Sequence, residues 1–137
     1  MTSKKIAARI AYWQKRMGLG GWELWLSDHA PDADALATTH PEVTQRQAAI
    51  CIHPDAPDDQ VDRLIVHELA HVLTCEMADL FHRATADHGS EAQAFMEGQW
   101  ERASEWVMER LASALTGQTR VEFNKDAPPV WKSVHPI

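Results

Sequence analysis

His67-Glu68-Leu69-Ala70-His71 decides how the rest of the chain is read. On a helix, residues four apart project from the same face, so the two imidazoles make a two-point grip for a metal ion. Glu68 follows the first imidazole directly and stands where a carboxylate can take a proton from a metal-bound water. With eight histidines in 137 residues, the pattern arises by chance in on the order of a few per cent of such chains, so its flanks must supply the helix. They do. Pro57 precedes Asp58-Asp59-Gln60-Val61, and its acids sit where a helix N-terminus favours negative charge. Val61, Leu64, Ile65, Leu69 and Val72 then form an apolar stripe with His67 and His71 at its border, where a metal can be both held and reached.

Outward from this helix, the chain is expected to fray after Cys75 through Glu76 to His82 and to turn at Asp87-His88-Gly89. Ser90 and Gln93 read as a capping box opening a long helix from Ser90 to Leu115, stopped by Gly117. Its expected core stripe is Met96, Trp100, Ala103, Val107, Leu111 and Ala114. Upstream, Ile6, Ile10, Trp13 and Met17 recur at helical spacing, with Ser3 as cap. Gly18, Gly20 and Gly21 end that helix, and Trp22 to Leu26 follows as a short strand. Ala30 to Pro41 reads as a loop or a poorly formed edge hairpin. Gln47 to His53 reads as a second strand, stopped by Pro54 and expected to form a sheet edge beside the cleft. The expected fold is α+β: an N-terminal helix, a small and mostly antiparallel sheet, the histidine-bearing helix and a long C-terminal helix. One domain covers residues 1–117, and 118–137 form an extended tail.

An apolar content of 45% over 137 residues suits one domain with a real core. The net charge of −7 gives no general attraction for phosphate backbones or anionic lipid, so neither a nucleic-acid nor a membrane partner is expected. No apolar run approaches the length of a membrane span, and Met1 to Arg9 is polar and basic with no apolar segment after it. Cys51 and Cys75 lack paired C-x-x-C spacing and read as reduced, buried small residues.

A catalytic zinc site takes three protein ligands and keeps a position open for water, so the long helix must supply one more. It carries Glu97, Glu101, Glu105 and Glu109 at four-residue intervals. At about 100° per residue, Glu97 and Glu101 lie nearest the expected stripe, while Met108, Ala112 and Leu115 extend apolar character toward Glu101 and Glu105. Most of these glutamates must belong to a solvated face.

The order strand, strand, H-E-x-x-H helix and then a helix bearing E-x-x-x-[DE] resembles the gluzincin metallopeptidases. Here the second pattern is Glu105-Trp106-Val107-Met108-Glu109. The chain is most similar to the small single-domain minigluzincins and to short metallopeptidases of phage and prophage genomes. Glu105, Val107-Met108 and Leu111-Ala112-Ser113-Ala114-Leu115 carry that likeness, as does the opening from Gly18 to Leu26. It covers roughly residues 5 to 115, and H-E-x-x-H is its specific motif. The resemblance implies a zincin-like fold and Zn²⁺ held by His67, His71 and Glu105, with Glu109 as outer partner; the helical wheel keeps Glu101 as the alternative ligand. It further implies Glu68 as general base, a peptide or protein substrate, and the cytoplasm of a bacterium or phage-infected cell. SprT-like proteases use a third histidine followed by Gly, and Asp87-His88-Gly89 is similar to that, which makes His88 a further alternative.

For an oxyanion donor the chain offers Tyr12, His82, His88 and His135, none of which is assigned. A different class of function is a metallopeptidase-like, zinc-binding regulatory or interaction module without catalysis. Glu68 separates the two, because a structural metal site has no need of a general base. The tail, with Trp131 and His135, could lie over the cleft and block it.

Overall fold

The computed structural model describes residues 1–32 and 34–118. All but Gln118 of the expected tail lies outside the described residues. Helix α1 (Ser3–Arg16) buries Ile6, Ile10 and Trp13, the residues that the helical spacing picks out. Thr2, rather than Ser3, is its cap, the hydroxyl accepting from the Lys5 N–H at 3.3 Å. Gly18 takes φ 72° after the last turn, which lets the N–H groups of Gly18 and Leu19 turn back onto the carbonyls of Lys15 and Gln14.

Three strands follow: β1 (Glu23–Leu26), β2 (Ala37–Glu42) and β3 (Gln47–Ile52), in the spatial order β1-β3-β2. The sheet is mixed rather than mostly antiparallel, since β3 runs antiparallel to β2 and parallel to β1. A tight turn reverses β2 into β3, and β3 then enters between β2 and β1. The Glu42 carboxylate braces that turn by accepting from the Thr44 hydroxyl at 2.7 Å and the Gln45 N–H at 2.6 Å. Two expectations are corrected here. Ala37 to Glu42 is a strand, and Pro41 is tolerated because β2 is an edge strand among the described residues. β3 is the central strand, so the edge beside the cleft belongs to β2. In register, Ala48, Ile50 and Ile52 share one face with Leu24, Leu26 and Ala37, and this face joins the core. Trp25 points the other way and is 45% exposed.

After a single 3-10 turn at Asp58–Gln60 comes α2 (Val61–Thr85), in which every residue from Arg63 to Ala70 is buried. The sheet, α1 and α3 each cover part of it. Asp62 ties α1 down by accepting from Arg9 Nε and Nη2 at 2.8 and 2.7 Å. The helix does not fray after Cys75, because α3 (Ser90–Thr116) lies along it. Phe81 stacks on Trp100 with ring centroids 4.8 Å apart, and His82 meets Glu97 at 3.2 Å. Gly89, not Ser90, is the α3 cap, and the Gln93 side chain donates to Glu97 at 3.3 Å instead of closing a capping box.

The expected core stripe of α3 is also corrected. Only Met108 and Ala112 of this helix are buried, whereas Val107 is 50% exposed. Trp100 of the stripe does reach α2 through Phe81, but further along the face that meets α2 holds Glu105, Met108 and Ala112, about 140° around the helix from the stripe at about 100° per residue. Apolar spacing marks the apolar face; what covers it is decided by the rest of the fold. Cys51 and Cys75 are buried and free. Among the described residues, no helix is long and apolar enough to cross a membrane.

Candidate metal centre

His67 and His71 lie on successive turns of α2, interleaved with the buried core residues Leu64, Ile65, Leu69 and Val72. Glu105 reaches them from α3. Its Oε2 lies 3.1 Å from His67 Nε2 and its Oε1 lies 2.9 Å from His71 Nε2, while the two Nε2 atoms are 3.1 Å apart. The nearest donor atoms of the three groups are thus 2.9 to 3.1 Å apart, the carboxylate meeting each ring through a different oxygen, and one ligand atom from each forms a triangle with no side longer than 4.8 Å. Zinc at its usual bond lengths spaces tetrahedral ligands about 3.3 Å apart, so small side-chain shifts within this triangle would seat the ion. Two imidazole nitrogens and one carboxylate oxygen are also a donor set suited to zinc and leave a position for water.

Behind His67 stands Glu109. Its Oε1 lies 2.8 Å from Nδ1 of the same ring, so the imidazole is held from the rear with Nε2 turned to Glu105 and His71. The contact is short but off the N–H axis, so charge attraction does most of the holding. Glu109 in turn accepts from Arg63 Nη1 at 2.9 and 3.0 Å.

Glu68 is 6% exposed and lines the same cleft as the two histidines and Glu105. Burial, helped by the charges of Glu105 and Glu109, raises its pKa to about 7 against the opposing pull of His67 and His71. A carboxyl poised there can accept and return a proton near neutral pH. Burial works against a charged His67, but Glu105 and Glu109 outweigh it and push that pKa up to about 9. Burial likewise opposes ionised Glu105, yet the two histidines hold it well below the usual carboxylate range.

The cleft has a volume of about 580 Å³. Its floor is the His67, Glu68, His71 and Glu105 group, one wall is β2 from Ala37 to Pro41, and the other is α3 at Trp100, Glu101 and Ser104. Thr74, Cys75 and Ala78 continue the floor along α2.

No family model, curated protein or solved structure matches this chain.

Of the residues singled out from sequence, the structure brings His67, Glu68, His71, Glu105 and Glu109 together. Glu101 sits on the cleft wall one turn before Glu105 and is not in the ligand triangle. His88 lies in the turn between α2 and α3, where its N–H donates to the Thr85 carbonyl at 3.1 Å, and is likewise outside the triangle. His82 pairs with Glu97 at the far end of the helix pair, and His135 is outside the described residues. Sequence reasoning misses Arg63. Its signal is there: an arginine four residues before His67, among Val61, Leu64 and Ile65, must bury a charge and therefore needs a carboxylate partner.

Proposed function

We propose that the protein is a zinc-dependent metallopeptidase that hydrolyses peptide bonds with Glu68 as general base. The observation that carries this reading is the convergence of His67 Nε2, His71 Nε2 and the Glu105 carboxylate, within 3.1 Å of one another, on the floor of an open cleft beside buried Glu68. A zinc ion bound there supplies Lewis acidity and a water whose pKa is lowered toward neutrality. The chain's own residues do the rest. Glu68, buried beside the ligands, takes the proton from the attacking water and returns it to the leaving amine. Glu109 holds His67 from behind, so that Nε2 and not Nδ1 faces the cleft. The outer edge of β2, unpaired among the described residues, offers backbone donors and acceptors to an extended substrate lying along the cleft.

Metal content and cleavage of casein or a peptide library, compared between the parent and Glu68→Gln, test this reading. Zinc in both, with cleavage reduced about 10²- to 10⁴-fold in the variant, is the expected result. Stoichiometric zinc without cleavage in either favours the non-catalytic binding module, and absence of zinc from the parent overturns the metal site itself.

A further inference from the structure

We propose that Arg63 is the positioning residue that determines which glutamate of α3 serves as metal ligand, an assignment that rests on the metal centre proposed above. Glu105 and Glu109 have the same chemistry, lie one helical turn apart, and both approach His67. Glu105 Oε2 is 3.1 Å from Nε2, and Glu109 Oε1 is 2.8 Å from Nδ1. What separates them is the guanidinium behind Glu109. Arg63 Nη1 donates to both oxygens of that carboxylate, at 2.9 and 3.0 Å, while its Nε donates to Gln60 Oε1 at 2.7 Å. The Arg63 side chain is 3% exposed, and a charge so buried holds its partner firmly, since releasing it would leave the guanidinium without a counter-charge away from water. Glu109 is thereby committed to Arg63 and to the back of the His67 ring. Glu105, 52% exposed at the cleft, faces the two Nε2 atoms.

The main chain adds a second tie at the same place. The Arg63 N–H donates to Gln118 Oε1 at 2.9 Å, joining the start of α2 to the residue just after α3. Arg63 therefore fixes the two helices against each other at one end, and the position of Glu105 along α2 follows from that register. Lysine in its place keeps the charge but cannot grip Gln60 and Glu109 with one planar fork.

The test compares the parent with Arg63→Met, Arg63→Lys and the double variant Arg63→Met/Glu109→Gln. Zinc affinity is read by chelator competition, and ligand number by the visible absorption of the cobalt-substituted protein. Arg63→Met is expected to lose about 10- to 100-fold in zinc affinity and to change the cobalt spectrum, as the freed Glu109 carboxylate reaches the metal. The double variant is expected to regain the parent spectrum, because the amide that replaces the Glu109 carboxylate is a poor ligand. Should Arg63→Met fail to fold, Arg63→Lys carries the test, with a loss of several-fold expected. Parent-like affinity and spectrum in Arg63→Met, or in Arg63→Lys where the former does not fold, overturn the assignment alone. A parent that takes up neither zinc nor cobalt overturns the metal centre and this assignment with it.

Discussion

The two halves of α2 have similar lengths and similar apolar content but opposite surroundings. From Arg63 to Ala70 every residue is buried. Past His71 the apolar residues Leu73, Met77 and Leu80 still recur at helical spacing, yet they are 49, 62 and 62% exposed. The first half has α1, the sheet and the end of α3 around it; the second is braced by the α3 contacts near Phe81 and Trp100. The ligands sit where one regime gives way to the other: His67 is 8% exposed, and the His71 side chain is 26% exposed. A hydrolytic site needs this border, because its ligands must be rigid and its open coordination position must meet solvent and substrate.

The sharpest way to break the comparison is to remove the same kind of apolar bulk from each half. Ile65, 0% exposed, has no room to relax, so Ile65→Ala is expected to cost about 2–5 kcal/mol in urea denaturation. Leu80→Ala trims a side chain that already stands mostly in solvent, and should stay within about 0.5 kcal/mol of the parent. Equal losses at the two positions would mean that the exposed stripe is covered in solution and that the two halves do not differ.

At the metal, the expected effect discriminates between neighbouring turns of α3. Glu105→Ala should lose at least about 100-fold in zinc affinity, or about 2.7 kcal/mol, because a ligand is removed. Glu101→Ala, one turn away on the cleft wall, should bind zinc within about two-fold of the parent, a difference of about 0.4 kcal/mol. The reverse ranking, read by chelator competition, would move the third ligand to Glu101.

How much of this arrangement is legible in the sequence follows the same division. The buried half of α2 is plain, because Asp58 and Asp59, the stripe from Val61 to Val72 and the two histidines all agree on one helix and one face. Where a signal stands alone, the reading slips. Met96 to Ala114 do form an apolar face on α3, but spacing carries no information about which face another element will cover. The helical-wheel preference for Glu97 and Glu101 inherits that error, and the choice of Glu105 rests on resemblance instead. Strand order is non-local in the same way: nothing in Gln47 to Ile52 says that β1 and β2 will lie on either side of it. Arg63 is legible in principle, as a charge inside an apolar stripe, but naming its partner requires the helix pairing.

The last expected effect concerns protons and the closed half of α2. In the metal-free protein Glu68 has its pKa raised from 4.5 to about 7, so between those values the folded chain keeps a proton that the unfolded chain releases. His67 is raised from 6.5 to about 9, so its contribution is complete below 6.5 and is lost as pH climbs through 9. Glu105, held below the usual carboxylate range, is ionised in both states above about pH 5 and adds no slope there. In both windows the folded state binds more protons than the unfolded, so both slopes have the same sign. The urea midpoint of chelator-treated protein should therefore fall steadily from about pH 5 to about pH 9, against the usual expectation that carboxylate pairs make proteins acid-labile. Glu68→Gln should flatten the lower part of the decline and leave the upper part in place. Zinc needs His67 neutral, so its binding expels that proton below about pH 9, and its stabilisation should grow over the range in which the metal-free protein weakens. A midpoint that is flat or rising with pH in the absence of metal would show that Glu68 and His67 are far better hydrated than their burial requires, and would place the border between the two halves of α2 before His67 rather than at His71.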